Sequence, residues 1–514
     1  MAAITLTGGI FDKRASQAAL LQLHCTCHPE WQVMLPIHRI LQAQTRRQFL
    51  QQGALSLGGV ALTSLIGNAS EDKLTGPLTP RKPMLPAKVK NVIYLQMSGA
   101  PPQHDLFDYK PKLKELHLKP CPESLLKGQR FAFIKGTPVL LGSPYEFTRC
   151  GHEQAWVSSL LPHFQKVAPE VAFLKGMYTD QFNHAPAELL LFTGSPRNGG
   201  AGMGSWVTYG LGSENQNLPG FVVLISGGTD PTGGKALWST GFLPSVYQGV
   251  QCRTAGEPIL YVNNPPGMDR DSRRSSLDAL KALNEFEHQQ FGDPETLTRI
   301  SQYELAFRMQ MTVPEVMDIG KEPAKMQERY GAKPGVNSFA NNCLLARRLV
   351  ERGVRFVQLF DWGWDCHGTG KVDDIVEHLP KKCKEVDQSI ATLITDLKER
   401  GLLDQTLIVW GGEFGRTSMN EARGGSTYLG RDHHPHCFTM WMAGGGIKKG
   451  TVHGQTDELG YFITEGKTSV HDLQATILQL LGLDPYKFRY PYQGLEQRLI
   501  GVEGGVEVIK EVLV

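Results

Sequence analysis

Four apolar stretches constrain this chain more than anything else in it: Val89 to Met97, Val354 to Phe360, Thr406 to Trp410 and Phe438 to Ala443. Each is apolar at successive rather than alternate positions. A strand of that kind is buried on both faces, which happens when helices cover both sides of a mainly parallel sheet. Helical segments separate them: Phe339 to Glu351, a long region ending with Val386, Ile390, Leu393, Ile394 and Leu397 on one face, and Val470 to Leu481, stopped by Gly482. A shorter strand at Val171 to Leu174 precedes a helix at Ala185 to Phe192 that closes at Thr193-Gly194. The pattern predicts an α/β fold, three layers deep in the order α/β/α. Regular alternation lapses over 195–335, where Gly- and Pro-rich loops surround short strands at Phe221 to Ile225 and Ile259 to Val262, before charged helices from about 272 to 330. This stretch reads as a loop-rich insertion or cap.

With 514 residues the chain is long enough for one large elaborated domain, and with 53 Lys+Arg against 51 Asp+Glu it is nearly neutral. Such a balance excludes a protein whose main task is to wrap nucleic acid or an anionic membrane surface, so any anion must be bound locally. The first 69 residues do not read as fold. Thr45-Arg46-Arg47-Gln48-Phe49-Leu50, the weakly apolar run Ala54 to Ile66 and the small residues that follow have the order of a twin-arginine export signal, with cleavage expected after Ala69. The expected organisation is an export signal with a long N-terminal region over 1–69, a linker over 70–88, an α/β domain over 89–505 and a tail over 506–514. The destination is the periplasm or the exterior, with no integral membrane domain in the mature chain. Beyond the signal the cysteines lie at 121, 150, 252, 343, 366, 383 and 437, an odd number without close pairs, which argues against a disulfide framework.

Ligands of such sheets sit beyond the carboxyl ends of the strands, so the residues after each strand matter most. The first strand runs into His104-Asp105, the second into Trp364-Asp365-Cys366-His367, and the third into Gly411-Gly412-Glu413-Phe414-Gly415-Arg416. Arg431-Asp432-His433-His434-Pro435-His436 precedes the last. Carboxylates and imidazoles gathered at strand ends form the mixed oxygen and nitrogen set that binds zinc, manganese or iron, calcium suiting it less, and that activates water. Each has a bland alternative: a turn-capping Asp365, a half-buried His367, a salt bridge from Glu413 to Arg416. At most two of the three clustered histidines can point one way.

These motifs resemble the DUF1501 family, secreted bacterial proteins related to sulfatases within the alkaline phosphatase-like superfamily. The residues that carry the resemblance are Met97-Ser98-Gly99 with Asp105 and Phe107-Asp108, Gly363-Trp364-Asp365 with His367, Gly412-Glu413-Phe414-Gly415-Arg416-Thr417, Gly430-Arg431-Asp432-His433 and Gly454-Gln455-Thr456-Asp457. The resemblance implies an α/β/α fold with a metal site at the strand ends, formed by Asp105, Asp365, His367, Glu413 and His433, and hydrolysis of sulfate or phosphate esters of small molecules or glycans. Arg416 or His434 would stabilise an oxyanion. Where sulfatases carry a Cys or Ser nucleophile this chain has His184, with Glu188 in place of their arginine, so no formylglycine can form. His184 is then a ligand, an atypical nucleophile or a packing residue. The alternative is a non-catalytic exported binding or assembly protein with a structural or vestigial metal site.

Overall fold

The computed structural model describes residues 76–514 apart from 130, 261 and 503; the predicted export signal lies outside the described residues. Nine strands form the main sheet. Those used below are β1 (Asn91–Ser98), β2 (Val171–Tyr178), β3 (Phe221–Ser226), β4 (Val250–Cys252), β5 (Phe356–Trp362), β6 (Thr406–Gly411), two small strands β7 (Gly415–Arg416) and β8 (His433–His434) outside the main sheet, then β9 (Phe438–Gly444), β10 (Val452–His453) and β11 (Thr468–Ser469). The order is β10-β2-β9-β6-β1-β5-β3-β4, with β11 also on β2. Only β9 runs antiparallel to its neighbours β2 and β6; the other pairs of the main sheet are parallel.

The main helices are α1 (His184–Thr193), α2 (Met203–Leu211), α3 (Arg270–Phe291), α4 (Pro294–Met317), α5 (Phe339–Glu351), α6 (His378–Glu399) and α7 (Val470–Leu480). Two consecutive residues of β5 show that they cover both faces. The Phe360 ring lies 5.4 Å from that of Phe192 on α1, while Asp361 pairs with Lys382 of α6 at 2.8 Å. Successive strand residues point to opposite faces, so α1 and α6 sit on opposite sides. All eight residues of β1 are buried, as a central strand covered on both sides requires. On α6 the stripe Val386, Ile390, Leu393, Ile394 and Leu397 is buried, at most 4% exposed. A capping box between Ser469 and Asp472 starts α7.

The segment 195–335 departs from the expected insertion. Its β3 hydrogen-bonds in parallel to β5 and carries β4 on its other side, so it extends the main sheet. The edge strand is Val250–Cys252 and not the stretch at 259–262, while the α3 and α4 pair is the added element. The tail is tied down: Val512 is buried and the Val514 amide donates to Gly446 O at 3.0 Å. All seven described cysteines are free and buried. No helix among the described residues is long and apolar enough to cross a membrane.

Candidate metal centre

Because β1, β5 and β6 are adjacent and parallel, their carboxyl ends share one edge of the sheet. Beyond β5 come Asp365 and His367, beyond β6 comes Glu413, and β8 brings His433 through its pairing with Arg416 on β7. His184 opens α1 beside them. The backbone at the end of β1 approaches closely. Gly99 has φ of 108°, and a Cβ there would come 2.6 Å from the Asp365 amide nitrogen. Only glycine lets the two loops meet this way.

One donor atom from each of His184, Asp365, His367 and His433 lies within 4.8 Å of every other. Asp365 Oδ1 is the shared point: His367 Nε2 stands 2.8 Å from it, His184 Nε2 3.3 Å and His433 Nε2 3.4 Å. Each ring is held from behind through Nδ1. Glu413 Oε1 takes that of His184 at 2.5 Å, Glu421 that of His367, and the Phe182 carbonyl that of His433 at 2.7 Å. A Nδ1–H donated to a fixed acceptor sets the tautomer that leaves Nε2 with its lone pair, the arrangement found behind imidazole ligands. Glu413 is itself fixed by the Gly99 amide at 2.9 Å and Gln96 Nε2 at 2.8 Å.

The electrostatics follow from crowding. Burial opposes the charge of His184, but Asp365 and Glu413 outweigh it and raise its pKa to about 9. His433 moves the other way, to about 4, because burial, Arg416 and His184 outweigh its bond to Asp365. Burial also works against an ionised Asp365, yet Arg416 and the three imidazoles hold its carboxyl far below the ordinary range. The His184 Nε2 atom is buried with Asp365 Oδ1 at 3.3 Å, outside good hydrogen-bond geometry. A buried nitrogen so placed beside two imidazoles and a carboxylate fits a divalent ion of the zinc class, whose ligands are nitrogen and oxygen in this mixture.

Several predicted residues stand elsewhere. Asp105 forms a fully buried ion pair with Arg431, its Oδ2 2.7 Å from Nε and its Oδ1 3.2 Å from Nη2, so both oxygens are committed to the scaffold. His434 follows His433 on β8 and therefore faces the other way. Its Nε2 meets the Tyr461 carbonyl at 2.7 Å, its ring stacks on Tyr461 at 4.2 Å, and burial lowers its pKa to about 3. His434 is thus a packing residue. Arg416 is fully buried and donates to Asp365, Ala100 O, Gly99 O and Arg431 O, which makes it a brace rather than a free oxyanion donor. Glu413 buttresses His184 and is not one of the four converging donors. Glu421 was invisible in sequence: it lies in a loop with no motif, and only its approach to His367 reveals it.

Residues 89–513 match the family described as Protein of unknown function (DUF1501). The chain belongs to that family. No curated protein matches this DUF1501 chain. Among solved structures it is similar to the PsFucS1 sulfatase from Pseudoalteromonas sp., at 14% identity with 77% of this chain and 68% of that one covered and a TM-score of 0.33. It is also similar to a TAB5 alkaline phosphatase variant with magnesium bound, at 11% identity, 77% and 99% coverage and a TM-score of 0.31. A third likeness is to a phosphonate monoester hydrolase from Silicibacter pomeroyi, at 13% identity, 77% and 73% coverage and a TM-score of 0.31.

Proposed function

We propose that this DUF1501 protein is an exported metal-dependent hydrolase of sulfate or phosphate esters. The observation that carries the reading is the convergence of three Nε2 atoms on Asp365 Oδ1 with every Nδ1 held from behind. His184, Asp365, His367 and His433 would hold a zinc-type ion, which when bound polarises an ester oxygen and acidifies water. Glu413 and Glu421 keep their imidazoles in the ligating tautomer and raise their basicity. Arg416 keeps Asp365 ionised and aimed. The Asp365 side chain is 27% exposed, so one side of the group stays open to a substrate, unlike the closed shell of a structural metal site. The N-terminus of α1 at His184 has no side-chain cap, and a helix N-terminus favours an anion.

One observation favours a binding or assembly protein with a structural metal instead: His184 stands where sulfatases carry their Cys or Ser nucleophile, and Arg416 is fully engaged. Elemental analysis of the purified protein, followed by a screen of aryl sulfate and phosphate esters, separates the two. The hydrolase reading expects about one zinc-type ion per chain and turnover that His184→Ala abolishes without unfolding the protein. Metal without turnover of any ester supports the second reading. Export rests on residues 45–70 alone, and replacing Arg46 and Arg47 by lysine should retain the precursor in the cytoplasm; unchanged export would remove that part of the proposal.

A further inference from the structure

Aromatic side chains pack against the imidazole group. Phe133 makes edge contacts with two of the candidate ligands, its ring centre 5.2 Å from that of His367 and 5.6 Å from that of His433. It is nevertheless 40% exposed. Phe182, whose carbonyl holds His433, is 41% exposed. The third candidate imidazole, His184, meets the half-buried Trp362 at 6.0 Å. Scattered exposed aromatics are ordinary on a protein surface. Phe133, in a loop, is tied through its ring to two of these histidines, Trp362 at the end of β5 to the third, and Phe182 only through its backbone.

Phe133 is also held in place. Asp432 accepts the backbone amides of Phe133 at 2.8 Å and Ile134 at 3.0 Å through Oδ2, and the His433 amide at 2.8 Å through Oδ1. One buried carboxylate thereby fixes the aromatic side chain relative to a candidate metal ligand. The Arg423 guanidinium lies 3.6 Å from the Phe133 ring centre and is anchored by Glu421, the residue behind His367. Arg423 covers one face of the ring, and the aromatic surface that stays in water is free energy available to an apolar group that covers it.

We infer that Phe133 selects the substrate's leaving side, and that the anionic ester this site takes carries an aryl group rather than a polyol. The inference rests on the hydrolase reading for its ester but not for its aromatic selectivity, which equilibrium binding tests separately. The probes are phenylphosphonate and methylphosphonate, titrated calorimetrically into the zinc-loaded full chain. Stacking and burial of one ring should make phenylphosphonate bind about tenfold tighter or more. Phe133→Ala should bring the two probes to within about twofold of each other by losing affinity for the phenyl compound alone, since a good aromatic contact is worth roughly a factor of several. Its zinc content should stay at the wild-type level, because the Phe133 side chain is not a ligand, and that measurement certifies the variant as folded. No phenyl preference in the wild type, or a preference that survives in Phe133→Ala, overturns the inference. Turnover of esters without aryl preference sinks the inference and leaves the hydrolase reading standing. A phenyl preference that Phe133→Ala loses, without turnover of any ester, supports the aromatic selectivity and removes only the hydrolytic reading.

Discussion

At the level of single residues, the least comfortable group in the molecule is Glu188, four positions after His184 on α1. It is fully buried with Oε2 held by Thr232 Oγ1 and the Gly233 amide, while Oε1 has no partner. Burial and the neighbouring charge of Glu413 raise its pKa to about 7. An acid whose folded pKa lies above its unfolded value near 4.5 contributes stability below about pH 4.5 and loses it as the pH rises through 7. Glu188→Gln should therefore match the wild type near pH 4.5 and exceed it by about 2–3 kcal/mol above pH 7, since a tenfold change in proton affinity is worth roughly 1.4 kcal/mol. The new amide N–H group can also face the Ser98 hydroxyl on β1. Denaturant melts at the two pH values check this; equal stability at pH 8 would show that Glu188 is satisfied in some other way. Residue types at strand ends were legible in sequence because Asp365, His367 and Glu413 follow apolar runs and His433 closely precedes one. Which way a side chain points was not: His433 and His434 are chemically identical neighbours, and only the pleat of β8 separates a candidate ligand from a packing residue.

Among the elements, the junction of β1 with the loop after β5 decides whether the histidines can meet. Gly99 sits there with a positive φ, its amide on Glu413 and its α-carbon against the Asp365 backbone. Gly99→Ala should cost about 1–3 kcal/mol from the left-handed conformation, and more from the 2.6 Å contact with backbone that has no room to yield. Because the displaced segment carries Asp365, metal content should fall together with thermal stability. Unchanged zinc stoichiometry in a folded Gly99→Ala protein would show that this approach does not position the ligand. The central strands were readable because burial on two faces leaves an unmistakable apolar run. The segment 195–335 misled for the converse reason. Its β4 is three residues long at the sheet edge, exposed enough to lack an apolar signature, and β3 is separated from its partner β5 by the whole α3 and α4 pair. A parallel pairing over that distance leaves no local trace in sequence.

For the whole molecule, metal, protons and folding are linked through one histidine. Without metal, His184 is an imidazolium between Asp365 and Glu413, with a pKa near 9 in the folded chain against about 6.5 when unfolded. A base with a raised folded pKa adds stability that is complete below pH 6.5 and is lost as the pH climbs through 9. The metal-free protein should therefore weaken by a few kcal/mol between pH 6.5 and pH 9. His433 does not blur this window, because its lowered pKa places its own titration below it, and Asp365 stays ionised throughout. Metal competes with the same proton at Nε2. Binding at pH 7 should release about one proton, and apparent affinity should rise about tenfold per pH unit up to about pH 9 before levelling off. Differential scanning calorimetry with and without zinc should then show a gap in Tm that widens from pH 6.5 to pH 9, since the ion stabilises only the folded chain and binds it more tightly as the proton leaves. His184→Asn should flatten the metal-free profile and remove the proton release together. If instead the gap is constant with pH while zinc binds at full stoichiometry, His184 is not protonated in the metal-free protein, and the ion pair with Glu413 is a neutral hydrogen bond.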